Sequence, residues 1–185
     1  MPATPESEQL DLLMPLLYFY ARDGLVLPLV DFISGDEMPE PSRHLLVHPS
    51  DMTPRLRAFH QSPISLTVVS ADLSADYVMR QVVLTRDRDR SPVEYGAIGI
   101  HLEGFPPPVR DRITSGSAPL GAILEDAAIP HISAPRAYFE IDADPHIASL
   151  LDCQPGDRLC GRCNALSFPD GIVFADIVEI LPPAR

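Results

Sequence analysis

The sequence is poor in positive charge. Its 185 residues include 14 Lys and Arg but 26 Asp and Glu, which gives a formal net charge of -12 at neutral pH. The phosphates of nucleic acids and of anionic membranes would be repelled by such a chain at long range. We therefore expect neither a nucleic-acid nor a membrane partner, and any anionic small molecule must be held by local cations.

The chain also lacks a long uncharged apolar stretch. Its most apolar region, residues 10–33, is interrupted by prolines and by charged residues such as Asp11, Asp23 and Asp31. A helix that crosses a bilayer needs about 20 predominantly apolar residues. Residues 1–11 are acidic and lack the basic region with which a secretory signal peptide begins. These features predict a cytoplasmic protein.

Cysteine is scarce. Three cysteines, an odd number without a secretion signal, argue against a disulfide framework. Cys160 and Cys163 have the Cys-x-x-Cys spacing of zinc and redox sites, and His131 and His146 could complete such a site. Residues three apart in a strand point to opposite faces, so the two thiols could share a metal only if this segment were a turn. We expect half-buried thiols and no metal.

Two further motifs are missing. The chain has no Gly-x-Ser-x-Gly and no glycine-rich loop that could cradle phosphates, so neither a serine nucleophile nor a nucleotide cofactor is expected.

The length of the chain suits one well-filled hydrophobic core. Residues 1–185 are therefore predicted to form a single domain, with residues 1–44 as an N-terminal helical segment and connector that packs on a core of residues 45–182. A monomer is expected, and a dimer stays open.

The spacing of apolar residues predicts an α+β protein. Helical spacing occurs in residues 6–20, and shorter helices are predicted near residues 52–59, 106–114 and 120–127. From residue 64 the period changes to two. Six strands are predicted, at residues 64–68, 77–86, 93–102, 137–141, 158–168 and 172–181. We expect these strands to form an antiparallel sheet with helices covering one face.

Two charged residues fall on the apolar side of predicted strands. Arg80 shares its side with valine and leucine, and a buried guanidinium needs an anionic partner. Asp176 likewise shares its side with apolar residues, whereas Glu179 falls on the other side and is expected to be solvated. A structural and a functional explanation remain open. In the structural one, Arg80 and Asp176 pair with each other inside the core, or a strand boundary is shifted by one residue and the side chains point to the other face. In the functional one, the two residues are the opposite ends of a pocket.

A turn-like segment could serve such a pocket. Pro119 lacks an N–H and Gly121 permits close approach, so the backbone around Leu120 could present a free donor to an anion. The same Pro-x-Gly pattern is also a common turn.

At this point the sequence resembles the chorismate–pyruvate lyase family. The resemblance rests on four short motifs in order: residues 50–53 (Ser-Asp-Met-Thr), Arg80 within residues 78–84, residues 118–121 (Ala-Pro-Leu-Gly) with Ile123 and Leu124, and residues 135–141 followed by a last strand with an acid before Leu-Pro. It covers roughly residues 45–182. Family members have a six-stranded antiparallel sheet with helices that enclose a buried pocket, so the resemblance implies the same fold here.

The resemblance also implies an activity. A lyase of this family eliminates pyruvate from chorismate, or from a related enolpyruvyl acid, to give an aromatic acid such as 4-hydroxybenzoate, without a cofactor. By resemblance, Arg80 and the backbone groups of Met52 and Leu120 would hold the product carboxylate. Asp176 stands where the family has a longer glutamate, and Arg80 and Asp176 would be the catalytic residues.

Two elements of this picture stay open. Arg136 and Arg162 are candidates for binding the second carboxylate of chorismate, although both could be surface residues. The alternative function is a non-catalytic module that binds a small carboxylate, because effector-binding domains of some transcription regulators share this general fold.

Overall fold

The computed structural model describes the backbone of residues 5–184 and the side chains of residues 9–184. One antiparallel sheet organises this part of the chain. Its strands are β1 Val30–Ile33, β2 Ile64–Leu73, β3 Tyr77–Arg86, β4 Pro92–His101, β5 Ile132–Asp142, β6 Arg158–Ser167 and β7 Val173–Ile180, in the spatial order β1-β5-β6-β7-β4-β3-β2. The prediction of an α+β protein is confirmed.

The predicted number of six strands is wrong, because residues 5–184 form seven. The additional strand is β1, which pairs with the edge of β5, with Val30 opposite Ile141. Four residues inside a generally apolar segment are too few to show a clear period of two. β5 also begins five residues earlier than predicted, because Pro135 interrupts the pattern where the strand contains a register shift.

The α-helices of residues 5–184 precede β2 or connect β4 to β5 and β5 to β6. They are α1 Pro5–Leu12, α2 Met14–Arg22, α3 Ser42–Leu46, α4 Met52–His60, α5 Pro107–Ser115, α6 Leu120–Asp126 and α7 Pro145–Leu151. The single helix predicted at residues 6–20 is two helices that meet at Leu13. Pro15 lies in the first turn of α2, where its missing N–H removes no helical hydrogen bond.

Helices cover both faces of the sheet, so the prediction of one covered face is wrong. Helices α2 and α7 pack on the face that includes Val178 and Ile180, which we name the α2 face. Helices α3 to α6 pack on the opposite face, which we name the α4 face. Strands β3, β4, β6 and β7 are consequently buried along nearly their whole length. Alternation between buried and exposed residues is lost in such strands.

Helix α7 was not predicted from the sequence. Asp144 caps it by accepting a hydrogen bond from the backbone N–H of Ile147 at 2.7 Å. No helix within residues 5–184 combines the length and the apolar character needed to span a bilayer.

Candidate functional site

A cavity lies between the α4 face of the sheet and the first residues of helices α4 and α6. Its volume is about 60 Å³, room for roughly four water molecules. The sheet contributes Arg80 from β3, Glu94 from β4 and Glu179 from β7, and the helical side contributes Asp51, Met52 and Leu120. The chain therefore brings together three of its predicted site residues, Arg80, Met52 and Leu120, with three acids that were not predicted to lie there.

Arg80 is a buried cation without an anionic partner. Its residue surface is 2% exposed, and its Nη1 donates to the carbonyl oxygen of Ile113 at 3.2 Å. Its Nε has no hydrogen-bond acceptor. Among the side chains of residues 9–184, no carboxylate lies within ion-pairing distance of it. Burial lowers the pKa of Arg80 to about 10, so the guanidinium still carries its charge at neutral pH.

Two helix N-termini face the same cavity. α4 begins at Met52 and α6 at Leu120, and neither helix has a side-chain cap. The first N–H groups of a helix have no acceptor within that helix. The two starts lie close together, since a Cβ added to Gly121 would be 3.6 Å from Oγ1 of Thr53 and 3.8 Å from Oδ2 of Asp51. Arg80 lines the same cavity, and these backbone donors make the end beside the two helix starts favourable for an anion.

The carboxylate of Asp51, at this same end, is already bound. His131 is hydrogen-bonded through Nε2 to Asp51 at 2.7 Å and through Nδ1 to the carbonyl oxygen of Ile129 at 2.9 Å. Burial lowers the pKa of His131, but the hydrogen bonds to Ile129 and Asp51 outweigh it, and the net shift is upward. A protonated His131 offsets the charge of Asp51 near the anion end.

Glu94 lies in the cavity wall with an unsatisfied carboxyl oxygen. The residue is 4% exposed, and its Oε2 has no hydrogen-bond partner. Burial, assisted by the neighbouring Glu179, raises the pKa of Glu94 well above its usual range, although Arg162 acts in the opposite direction. Glu94 is therefore a neutral acid at moderate pH and can donate a hydrogen bond.

Glu179 is paired, and its partner is fully engaged. Arg162 is 0% exposed and donates from Nε to Glu179 in a short hydrogen bond. Its other nitrogens donate to the carbonyl oxygens of Leu46 at 3.1 Å, His48 at 3.0 Å and Ser50 at 3.2 Å. Burial raises the pKa of Glu179, and Arg162 opposes that shift. Arg162, predicted to bind a second carboxylate, instead lies behind the wall with four hydrogen bonds to protein groups.

Asp176 lies on the opposite face of the sheet from Arg80. Its side chain is 44% exposed, borders a groove with Tyr77 and Met79 on the α2 face, and is 3.7 Å from Nη1 of Arg136. Asp176 therefore neither pairs with Arg80 nor shares its cavity, and the side chain of Arg136 is 52% exposed and also lies outside it.

The expectation that one face of β7 is solvated is wrong, because helices cover both faces of the sheet. Val178 and Ile180 share a face with Asp176, but that face belongs to the α2 core. The buried acid of β7 on the cavity side is Glu179, which was expected to be solvated. Glu94 was missed altogether, although an acid inside the nearly uncharged strand 92–101 is itself a signal.

The two closely spaced cysteines lie on opposite faces of β6. Cys160 packs with the α3 and α4 residues and Cys163 with the α2 face, so the two thiols cannot bind one metal ion. Burial raises the pKa of Cys163 to about 12, which keeps this thiol protonated. Within the described residues, no group of three His, Cys, Asp or Glu side chains is arranged to hold a metal.

Comparisons with known proteins show the fold. No family model matches the sequence, and no curated protein matches it. The effector domain of PhnF from Mycobacterium smegmatis matches 74% of this chain and 90% of its own, at 15% identity and a TM-score of 0.56. A structure of PhnF from the same organism matches 91% and 93%, at 13% identity and a TM-score of 0.55.

A third similar structure comes from Bordetella bronchiseptica and is described as the ligand-binding domain of a GntR-family transcriptional regulator. It matches 66% of this chain and 87% of its own, at 13% identity and a TM-score of 0.52. At these identities the likeness shows the fold, which is the chorismate lyase-like fold that such effector domains share.

The prediction of a chorismate–pyruvate lyase is wrong. The similar structures are ligand-binding and effector domains of transcriptional regulators, not lyases. In addition, Asp176, which was assigned to catalysis, lies across the sheet from Arg80. The similar structures come from transcriptional regulators, so they do not support the expectation that this chain has no nucleic-acid partner. That expectation stays a prediction.

Proposed function

We propose that this chain is a non-catalytic domain that binds a small carboxylate in the cavity beneath α4 and α6. The observation that carries the proposal is Arg80, a buried guanidinium without a carboxylate partner among the described side chains. Proteins rarely leave such a charge unpaired, because its desolvation costs free energy that only an anion returns. The ligand carboxylate is that anion.

The magnitude of the cost can be taken from the pKa of Arg80. A decrease from 12.5 to about 10 corresponds to a penalty on the order of 3 kcal/mol for keeping the charged form buried. A carboxylate that pairs with the guanidinium through two parallel hydrogen bonds would remove most of that penalty. Binding therefore relieves an unfavourable state of the free protein.

The surroundings of Arg80 suit a carboxylate of few atoms. Met52 and Leu120, the first residues of α4 and α6, line the same cavity, and their backbone N–H groups would serve as further donors. A cavity of about 60 Å³ favours a compact ligand over a bulky one. The fold shared with the PhnF effector domain supports a binding function for such a cavity.

Ligand-induced stabilisation tests the proposal. Melting temperatures of the wild type, Arg80→Met and Arg136→Met would be measured against acetate, butyrate, 4-hydroxybenzoate and chorismate. A ligand present at 100 times its Kd should stabilise the wild type by about 2.7 kcal/mol. Arg80→Met should lose this stabilisation, whereas Arg136→Met, which changes an exposed arginine, should keep it, and the ligand should be recovered unchanged.

The ligand-free variants provide an independent check. Arg80→Met removes a buried charge and should stabilise the free protein, while Arg136→Met should change its stability little. The proposal fails if no carboxylate stabilises the wild type, or if Arg80→Met is stabilised as strongly as the wild type.

A further inference from the structure

Glu94 is a second unsatisfied polar group in the same cavity, and its chemistry restricts the ligand further. Its residue surface is 4% exposed and its Oε2 has no partner. Arg80 and Glu94 both line the cavity, yet each lacks a hydrogen-bond partner for one side-chain atom. The inference that follows rests on the proposed function, since it concerns the end of the ligand that is distant from its carboxylate.

The register of the sheet places Arg80 and Glu94 at different ends of the cavity. Arg80 is opposite Ile98 on β4, whereas Glu94 is opposite Leu84 on β3. The two levels are four residues apart, which is roughly 13 Å along the strands. Both side chains line the same cavity, so a ligand bound to Arg80 is enclosed in the same space as Glu94.

The nearby charged groups cannot satisfy Glu94. Arg162 of β6 already binds Glu179 and three backbone carbonyl oxygens. Glu179 of β7 is itself an acid and repels a second negative charge. Asp51, before α4, is bound to His131, and Arg80 lies at the other level. A partner for Glu94 must therefore come from the ligand.

We propose that Glu94 is the specificity-determining residue at this end, and that the ligand is a hydroxy or oxo carboxylate whose neutral oxygen accepts a hydrogen bond from the Glu94 carboxyl group. A ligand ammonium group would instead require Glu94 to ionise beside Glu179, which adds two buried charges to the cavity. A neutral oxygen adds none. The neutral partner is thus the one that the surrounding charges favour.

Isothermal titration with three short acids that share one carbon chain tests this inference. 4-Hydroxybutyrate and 4-aminobutyrate have a hydroxyl or an ammonium group on the carbon that is the terminal methyl of butyrate. We expect the wild type to bind 4-hydroxybutyrate about tenfold more tightly than butyrate, as one hydrogen bond permits, and to bind 4-aminobutyrate most weakly. The preference should decrease at high pH, where Glu94 loses its proton.

Two variants separate the roles that Glu94 could have. Glu94→Gln keeps a neutral donor, so it should retain the preference for 4-hydroxybutyrate but lose its pH dependence. Glu94→Met has no donor and should bind butyrate and 4-hydroxybutyrate equally. Preferential binding of 4-aminobutyrate that Glu94→Gln abolishes would overturn the inference, because Glu94 would then be an ionised counter-ion.

Other outcomes distinguish this inference from the proposed function. If butyrate and 4-hydroxybutyrate bind the wild type equally and Arg80→Met abolishes both, the carboxylate site stands and the role of Glu94 is refuted. If Glu94→Met keeps the wild-type preference, its role is refuted as well. If none of the three acids binds the wild type, both the proposed function and the inference fail for short carboxylates.

Discussion

Replacing Glu179 by glutamine removes a buried negative charge while it preserves the shape of the side chain. Arg162 would then be a fully buried cation whose remaining acceptors are an amide oxygen and three backbone carbonyl oxygens. Breaking a buried ion pair costs about 3 to 5 kcal/mol. The retained acceptors place the expected loss near the lower limit, at about 3 kcal/mol.

This loss is large enough to measure in a chain of this length. For domains of this size, 1 kcal/mol shifts the melting temperature by about 2 to 4 °C, so Glu179→Gln should lower it by about 6 to 12 °C. Urea unfolding followed by circular dichroism would give the free energy of unfolding at neutral pH. The slope of the transition should stay unchanged, because the variant exposes no additional surface.

Asp176→Asn is a matched control on the same strand. It makes the same chemical change three residues away, but Asp176 is 44% exposed and its partner Arg136 is 3.7 Å distant. A pair of this kind contributes between 0 and about 1 kcal/mol, so the expected loss is below about 1 kcal/mol. Equal losses in the two variants, or a larger loss in Asp176→Asn, would refute the assignment of Glu179 as the buried, paired acid of β7 and Asp176 as the exposed one.

Three further substitutions test other parts of the structure. Gly161→Ala should destabilise by about 1 to 3 kcal/mol in urea unfolding, because its Cβ would lie 2.3 Å from Cζ of Phe139; an unchanged midpoint would contradict this packing. Asp144→Ala should cost about 1 to 2 kcal/mol in the same assay, since it removes the cap of α7 and the acceptor of the Tyr20 hydroxyl at 2.9 Å. Burial raises the pKa of Glu94 above the ordinary 4.5, so the folded state binds more protons than the unfolded state and stability falls as pH rises from that value. Glu94→Gln should remove this part of the pH dependence and be more stable than the wild type at pH 8; parallel stability curves for the two proteins would refute it.

The sequence predicts the sheet of this protein better than it predicts which side of the sheet is functional. Long strands such as β3 and β6 can be recognised in the sequence, because each is an apolar segment of a length typical of strands and has turn-forming residues at its ends. Strand β1 has only four residues, and α7 has only seven, so neither shows enough periods to be recognised. Both elements are held by tertiary contacts, β1 by pairing with β5 and α7 by packing against β4.

The candidate site was predicted in part. Arg80, Met52 and Leu120 were identified through short motifs, and the structure places all three around one cavity. Asp176 was misplaced because apolar neighbours mark a buried face only when the other face is solvated, and helices cover both faces here. Pattern alone cannot say which of two buried faces contains the cavity; that depends on how helices far away in the chain pack.

The hydrogen bonds of Arg162 to the segment that precedes α4 determine where this protein should tolerate substitution. The acceptors at residues 46, 48 and 50 are backbone carbonyl oxygens, which every amino acid possesses. Side-chain changes at these positions can therefore leave the attachment of the segment intact, whereas a change at Arg162, more than 100 residues away, removes all three bonds together. A deep mutational scan should find the exposed Ser50 permissive and Arg162 intolerant, while packing alone should constrain the buried Leu46 and His48.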